Sequence, residues 1–139
     1  MQIGMTERIR FTGVLGEVAV ACCDLDITVK NDQPQVATLF SLYTLPPFRG
    51  MGWAKALIAS ALETAEAYGR PVVVLSVYCA NTIAINLYED LGFMPFGSVD
   101  GFHHYAHWRD ISLEKPTSEF MRRVSSSLLP TPEQVVGPL

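Results

Sequence analysis

Phe48-Arg49-Gly50-Met51-Gly52-Trp53-Ala54-Lys55 is the stretch on which the reading of this chain turns. It stands between two segments of different period. Before it, Gln35 to Leu45 carries Val36, Leu39, Phe40, Leu42 and Tyr43 and stops at Pro46-Pro47, whose missing amide donors end a central ladder, so a strand is expected. After it, Ala54, Leu57, Ile58, Ala61, Leu62 and Ala65 recur every three or four residues, one stripe of a helix that Gly69 closes. The octapeptide is therefore a strand-to-helix turn. Gly50 and Gly52 leave amide donors bare, and the helix start adds partial positive charge, so a pyrophosphate could be held there, with Arg49 and Lys55 in support. Glycines also begin helices for packing reasons, so the turn alone does not decide. The Walker loop requires Ser or Thr after Gly-Lys, and the dinucleotide fingerprint requires three glycines in the first strand-helix unit; neither pattern is present.

Outward from the turn the periods continue to change. On the N-terminal side, Arg8 to Val14 and Glu17 to Leu25 read as a hairpin turning at Leu15-Gly16, and Asn31, Asp32 and Pro34 mark a further turn. On the C-terminal side, Val72, Val73, Val74, Leu75 and Val77 form a nearly continuous apolar run, the pattern of a strand covered on both faces and often paired in parallel. A second helix is expected from about Asn81 or Thr82 to Leu91, with Ile83, Ala84, Leu87 and Leu91 inside and Gly92 beyond its end. Phe93 to Leu113, broken at Pro95, Gly97 and Asp100-Gly101, suggests two short strands. One domain over residues 1–114 is expected, followed by a tail over 115–139 that four prolines punctuate and in which Phe120, Val124 and Leu128 share one helical face.

A length of 139 residues suits one packed domain, and 49% hydrophobic with 17% charged residues is a globular composition. A net charge of -4 argues against a general nucleic-acid binder, which needs clustered Lys and Arg. No window approaches the apolar length of a membrane span, and the default expectation is the cytoplasm. Cys22, Cys23 and Cys79 have no zinc-like spacing and read as core or strand residues. His103-His104 with His107 also reads as no metal site, because His104 would face away from the other two on a strand; an aromatic hairpin lining a groove, or plain sheet packing, fits better.

The second constellation is Leu75-Ser76-Val77-Tyr78-Cys79-Ala80-Asn81, then Ala84, then Leu87-Tyr88-Glu89-Asp90-Leu91-Gly92-Phe93. Asn81 and Tyr88 lie about two helical turns apart, so both can look toward one cleft. Asn81 also suits a helix cap, and Tyr88 alone would read as an ordinary packed tyrosine. Together with the glycine turn, this arrangement resembles the GNAT superfamily of acetyl-CoA-dependent N-acetyltransferases over about Gln35 to Leu113, as a compact member with a short N-terminal part. Arg49-Gly50-Met51-Gly52-Trp53-Ala54, with Lys55 behind it, looks like that superfamily's pyrophosphate loop. Leu42, Tyr43 and Thr44 look like the strand whose backbone lies along the pantetheine arm, and Asn81 like part of the second CoA-binding segment.

The resemblance implies an α+β (α/β) fold: a mixed, mostly antiparallel sheet, with central strands splayed near Leu45 and Val77 and flanking helices. It also implies transfer of acetyl from acetyl-CoA to an amine by direct attack on the thioester, with Tyr88 as general acid to the departing thiolate. An acetyl-CoA-binding sensor or regulatory module without turnover is the alternative. The general base stays open among Glu17, Asp24, Asp26, His103, His104, His107 and water, because Ser76 stands where some relatives have a glutamate and Gln35 to Leu45 holds no acid. Only 48 residues precede Arg49 and they read as strands, so the acceptor side is expected to be open, or completed by a second subunit or by the tail.

Overall fold

β-branched runs and two paired hairpins dictate most of the architecture. The computed structural model describes residues 7–28 and 35–108; the tail over 115–139, and the last part of the strand expected to reach Leu113, lie outside them. In order come β1 (Arg8–Leu15), β2 (Val18–Asp26), β3 (Val36–Thr44), a 3-10 turn (Pro46–Phe48), α1 (Trp53–Ala67), β4 (Val72–Tyr78), α2 (Thr82–Asp90), β5 (Met94–Val99) and β6 (Phe102–Trp108). They form one six-stranded sheet ordered β1-β2-β3-β4-β6-β5, in which β3 and β4 are parallel and the other four pairings antiparallel. The mixed, mostly antiparallel sheet is the expected one. Asp100 and Gly101 at the β5-β6 turn have φ of 48° and 84°, the mirror-image turn whose twist matches the strands it joins.

Both helices lie over one face of the sheet. Ala54, Leu57, Ile58, Ala61, Leu62 and Ala65 of α1 are buried in a core that also takes Ala21, Cys23 and Leu25 of β2, Ala37, Leu39 and Leu42 of β3, Val73, Leu75 and Val77 of β4, and Ala84 and Tyr88 of α2. The α1 stripe is the one its period predicts. The α2 stripe differs: Ile83 is 73% exposed, and the deeply buried residue is Tyr88. The cause is the end of the helix. Gly92, at φ 95°, carries the chain into the left-handed turn that lets Gly92 N–H bond to Glu89 O and Phe93 N–H to Tyr88 O, at 3.1 and 2.9 Å. That closure sets Phe93 against Tyr88 as a tilted pair, ring centroids 5.6 Å apart and planes at 59°, with the tyrosine face of α2 inward. The opposite face of the sheet carries a smaller cluster of Val36, Val72, Val74 and Ala106 with Phe96 and Trp108 against it. Cys79, expected in the core or a strand, is exposed in the turn after β4, where strand pairing has ended.

Two local irregularities shape the sheet's centre. Cys22 pairs with Tyr43 and Asp24 with Phe40, so Ser41 and Leu42 together oppose Cys23; this is a bulge, with Ser41 at φ 55°. The extra residue switches the parity of β3: Ala37 and Leu39 face the helices before it, and Leu42 does so after it. The β3-β4 ladder comprises Val36–Val72, Ala37–Val73 and Thr38–Val74, then stops. Beyond it β3 stays with β2 and β4 with β6, leaving a wedge between the central strands. No helix among the described residues is long and apolar enough to cross a membrane.

Candidate active site

The wedge opens toward the start of α1. Gly50 and Gly52 have φ of 75° and 91°, and a Cβ built on either would meet nothing within 4 Å, so this turn is strained for other residues and open above the backbone. Gly52 is the N-cap of α1, with no side-chain cap and no acidic residue in the first turn, which leaves the helix's first amides and its positive end uncompensated. A groove of about 260 Å³ lies against it, lined by Thr44, Phe48, Gly50, Gly52, Trp53, Ala54 and Lys55, with Ile83 and Leu87 of α2 as its far wall. Six residues nominated from the sequence thus meet in one groove. Phe48, Ile83 and Leu87 join them unannounced; the helical periodicity places Ile83 and Leu87 inside, and Leu87 does pack against the core while also lining the groove, whereas Ile83 is exposed on the groove wall.

The other nominated residues occupy different positions. Leu42 is fully buried in the core, Tyr43 is partly exposed, and Met51 is 66% exposed. Arg49 does not project freely: its Nε donates to Thr44 O at 2.9 Å and its guanidinium lies over the Tyr43 ring at 5.4 Å, which ties the loop to the end of β3. Asn81 caps α2, its Oδ1 accepting from Ala84 N–H at 3.2 Å. Tyr88 is 0% exposed and its hydroxyl has no hydrogen-bond partner among the described residues; burial, with a smaller contribution from Cys23 nearby, pushes its pKa well above the ordinary phenol value. Thr44 Oγ1 is likewise buried without a partner. Orphaned buried polar atoms in a native fold call for an explanation, and these two lie on the groove wall and on the helix flanking it.

The candidate bases are also sorted by geometry. Arg10 Nε and Nη2 grip both carboxylate oxygens of Asp24 at 2.7 and 2.8 Å, and Asp26 Oδ1 accepts from Thr28 N–H at 2.9 Å. Glu17 is exposed in the turn of the first hairpin. His104 is fully buried and bonded through Nδ1 to Ser76 Oγ at 2.9 Å. Among the described residues no group of His, Cys, Asp or Glu is arranged to hold a metal.

With the splayed sheet and the uncapped glycine turn in view, comparison with known proteins is decisive at the level of family. The family model described as "Acetyltransferase (GNAT) family" matches residues 5–93. The chain belongs to the GNAT acetyltransferase family. Among curated relatives, an uncharacterized N-acetyltransferase of Methanocaldococcus jannaschii is 37% identical over 85 residues, 61% of this chain and 38% of that protein. The [ribosomal protein bS18]-alanine N-acetyltransferase of Haemophilus ducreyi is 40% identical over 57 residues, 41% of this chain and 39% of that protein. The chain spans about two fifths of the length of these curated relatives. Among solved GNAT structures, the PaiA N-acetyltransferase of Thermoplasma acidophilum in complex with coenzyme A superposes with a TM-score of 0.66 at 16% identity, over 73% of this chain and 61% of that one. The GNAT domain of S. lividans PAT gives 0.67 at 19%, over 73% and 61%. At these identities the likeness is one of fold.

Proposed function

We propose that this GNAT chain transfers the acetyl group of acetyl-CoA to a primary amine by direct attack on the bound thioester. One observation carries the reading: the splayed β3-β4 wedge opens onto a helix N-terminus whose glycine turn leaves its amides unshielded and uncapped. The bare amides of the turn, with Lys55 at its edge, would hold the pyrophosphate. Leu42, Tyr43 and Thr44 would align the pantetheine arm along the unpaired side of β3, and Asn81 would meet the arm from α2 while still capping it. Acetyl-CoA supplies an activated carbonyl and a thiolate leaving group. Tyr88, kept protonated by burial, would donate its proton to that thiolate. Fixing both reactants in one cleft removes much of the entropic barrier.

The test is calorimetric titration with acetyl-CoA and CoA, followed by thiol release against a panel of amines. The panel includes polyamines, lysine and a peptide beginning with alanine, since one relative acts on alanine of a ribosomal protein. Micromolar binding with amine-dependent release supports the transferase. Binding without release turns the reading into an acetyl-CoA sensor, and absence of binding overturns it.

A further inference from the structure

We infer that Ser76 and His104 form the relay that removes the proton from the attacking amine, an inference that rests on the acetyl transfer proposed above. Ser76 sits on β4 two residues past Val74, the last residue paired with β3, so it lies where β4 borders the wedge. By strand alternation its side chain shares the face of Val72 and Val74, opposite the helices and the glycine turn. His104 stands directly across from it on β6. The adjacent cross-strand pair on that face, Val74 with Ala106, is apolar and buried, as packing alone would favour.

In place of a second apolar pair, the fold buries a serine at 3% exposure and a histidine at 0%, joined by one 2.9 Å hydrogen bond. It also leaves His104 Nε2 buried with no hydrogen-bond partner among the described residues. An unmade buried hydrogen bond costs about 1–3 kcal/mol, so packing gives no reason for the pair. The described groups around the imidazole are Ser76, the Phe96 ring at 5.7 Å and the neighbouring His103, with no carboxylate bonded to it. Burial first, and then His103, hold its pKa below the ordinary histidine value, so the resting imidazole is neutral.

The step balances as follows. The amine nitrogen forms its bond to the acetyl carbon, becomes cationic, and its N–H turns acidic. That proton passes to Ser76 Oγ as the seryl proton moves to His104 Nδ1. The C–S bond breaks with its electron pair on sulfur, which takes the proton of Tyr88. The proton on His104 then returns through Ser76 Oγ to the wedge, from which solvent carries it to the Tyr88 phenolate. The donor is held on the helix face of the sheet, and the acceptor loses its proton on the other.

Two substitutions test this. In His104→Asn the amide can keep a hydrogen bond to Ser76 but offers no basic nitrogen; Ser76→Ala deletes a single oxygen. The expected result is unchanged acetyl-CoA affinity and turnover down about 100-fold in each, with the thermal midpoint lowered only as far as the lost Ser76–His104 hydrogen bond requires. The double variant should turn over no more slowly than either single one, as for groups that act as a unit. Wild-type turnover in His104→Asn overturns the relay, as do losses that multiply in the double variant or loss of acetyl-CoA binding in parallel with turnover. Thiol release by the unsubstituted protein is measured first. Its absence with every amine removes the transferase reading and the relay together, whereas failure of the relay alone leaves that release intact.

Discussion

Tyr88 combines two properties that rarely coexist in a packing residue: full burial and a hydroxyl without a partner among the described residues. Replacing it with Phe keeps the ring against Phe93 and removes only the hydroxyl proposed as the acid. Tyr88→Phe is therefore expected to bind acetyl-CoA as the parent does while losing about 10²–10⁴-fold in thiol release; equal turnover would remove Tyr88 from the chemistry. Cys23, beside it in the core, makes a separate prediction about pH. Burial, then Asp24 and Cys22, push its thiol from 9.0 up to about 12. The unfolded chain gives up that proton first, so the folded state holds more protons and stability falls as pH rises from about 9 to about 12, by up to about 1.4 kcal/mol per pH unit for one group. Urea unfolding at pH 8 and pH 10.5 checks it: the deficit of Cys23→Ala relative to the parent should narrow at the higher pH. A deficit that does not change with pH would show that the thiol is not the titrating group.

At the level of elements, the first hairpin and the glycine turn are mechanically joined. Gly13 lies beside the register shift of β1, where a Cβ would stand 2.6 Å from Trp53 Cε3. Trp53 is the first residue of α1 and lines the groove. Gly13→Ala should therefore push that ring, costing about 1–3 kcal/mol of stability and weakening acetyl-CoA binding from the far side of the turn. Thermal unfolding and tryptophan fluorescence would both register the change. Loss of the α2 cap is a milder lesion: Asn81→Ala is expected to cost about 1 kcal/mol in a denaturant titration. If Asn81 also meets the cofactor, acetyl-CoA affinity falls beyond what that loss of stability explains. These elements were largely legible in advance. The α1 stripe, the parallel β4 run and both hairpin turns follow from period and turn residues. The spacing of Ile83 fits a buried stripe, but the structure exposes it and buries Tyr88 instead, beside the closure at Gly92 and Phe93.

For the molecule as a whole, a ligand that binds only the folded state stabilises it by about 2.7 kcal/mol at a hundred times its dissociation constant. For a chain of this size that raises the thermal midpoint by roughly 5–15 °C. Acetyl-CoA and CoA should both do so. Dephosphorylated pantetheine should do much less, because it lacks the pyrophosphate that the bare amides of Gly50 to Ala54 would hold. Equal shifts from all three compounds would move the binding energy away from the glycine turn.

The residues alone determined the order of strands and helices, the glycine turn at the head of α1 and the GNAT resemblance, because period, turn chemistry and a contiguous loop are local properties that a single chain displays in its text. Tertiary structure decided where the β3-β4 ladder stops, that Ser41 adopts a left-handed bulge, that Arg49 is spent on Thr44, and that Ser76 meets His104. Ser76 and His104 lie 28 residues apart, and only strand register brings them face to face. Pairing across a sheet depends on which strands become neighbours, and that is settled by burying apolar faces over the entire fold rather than by any segment of it.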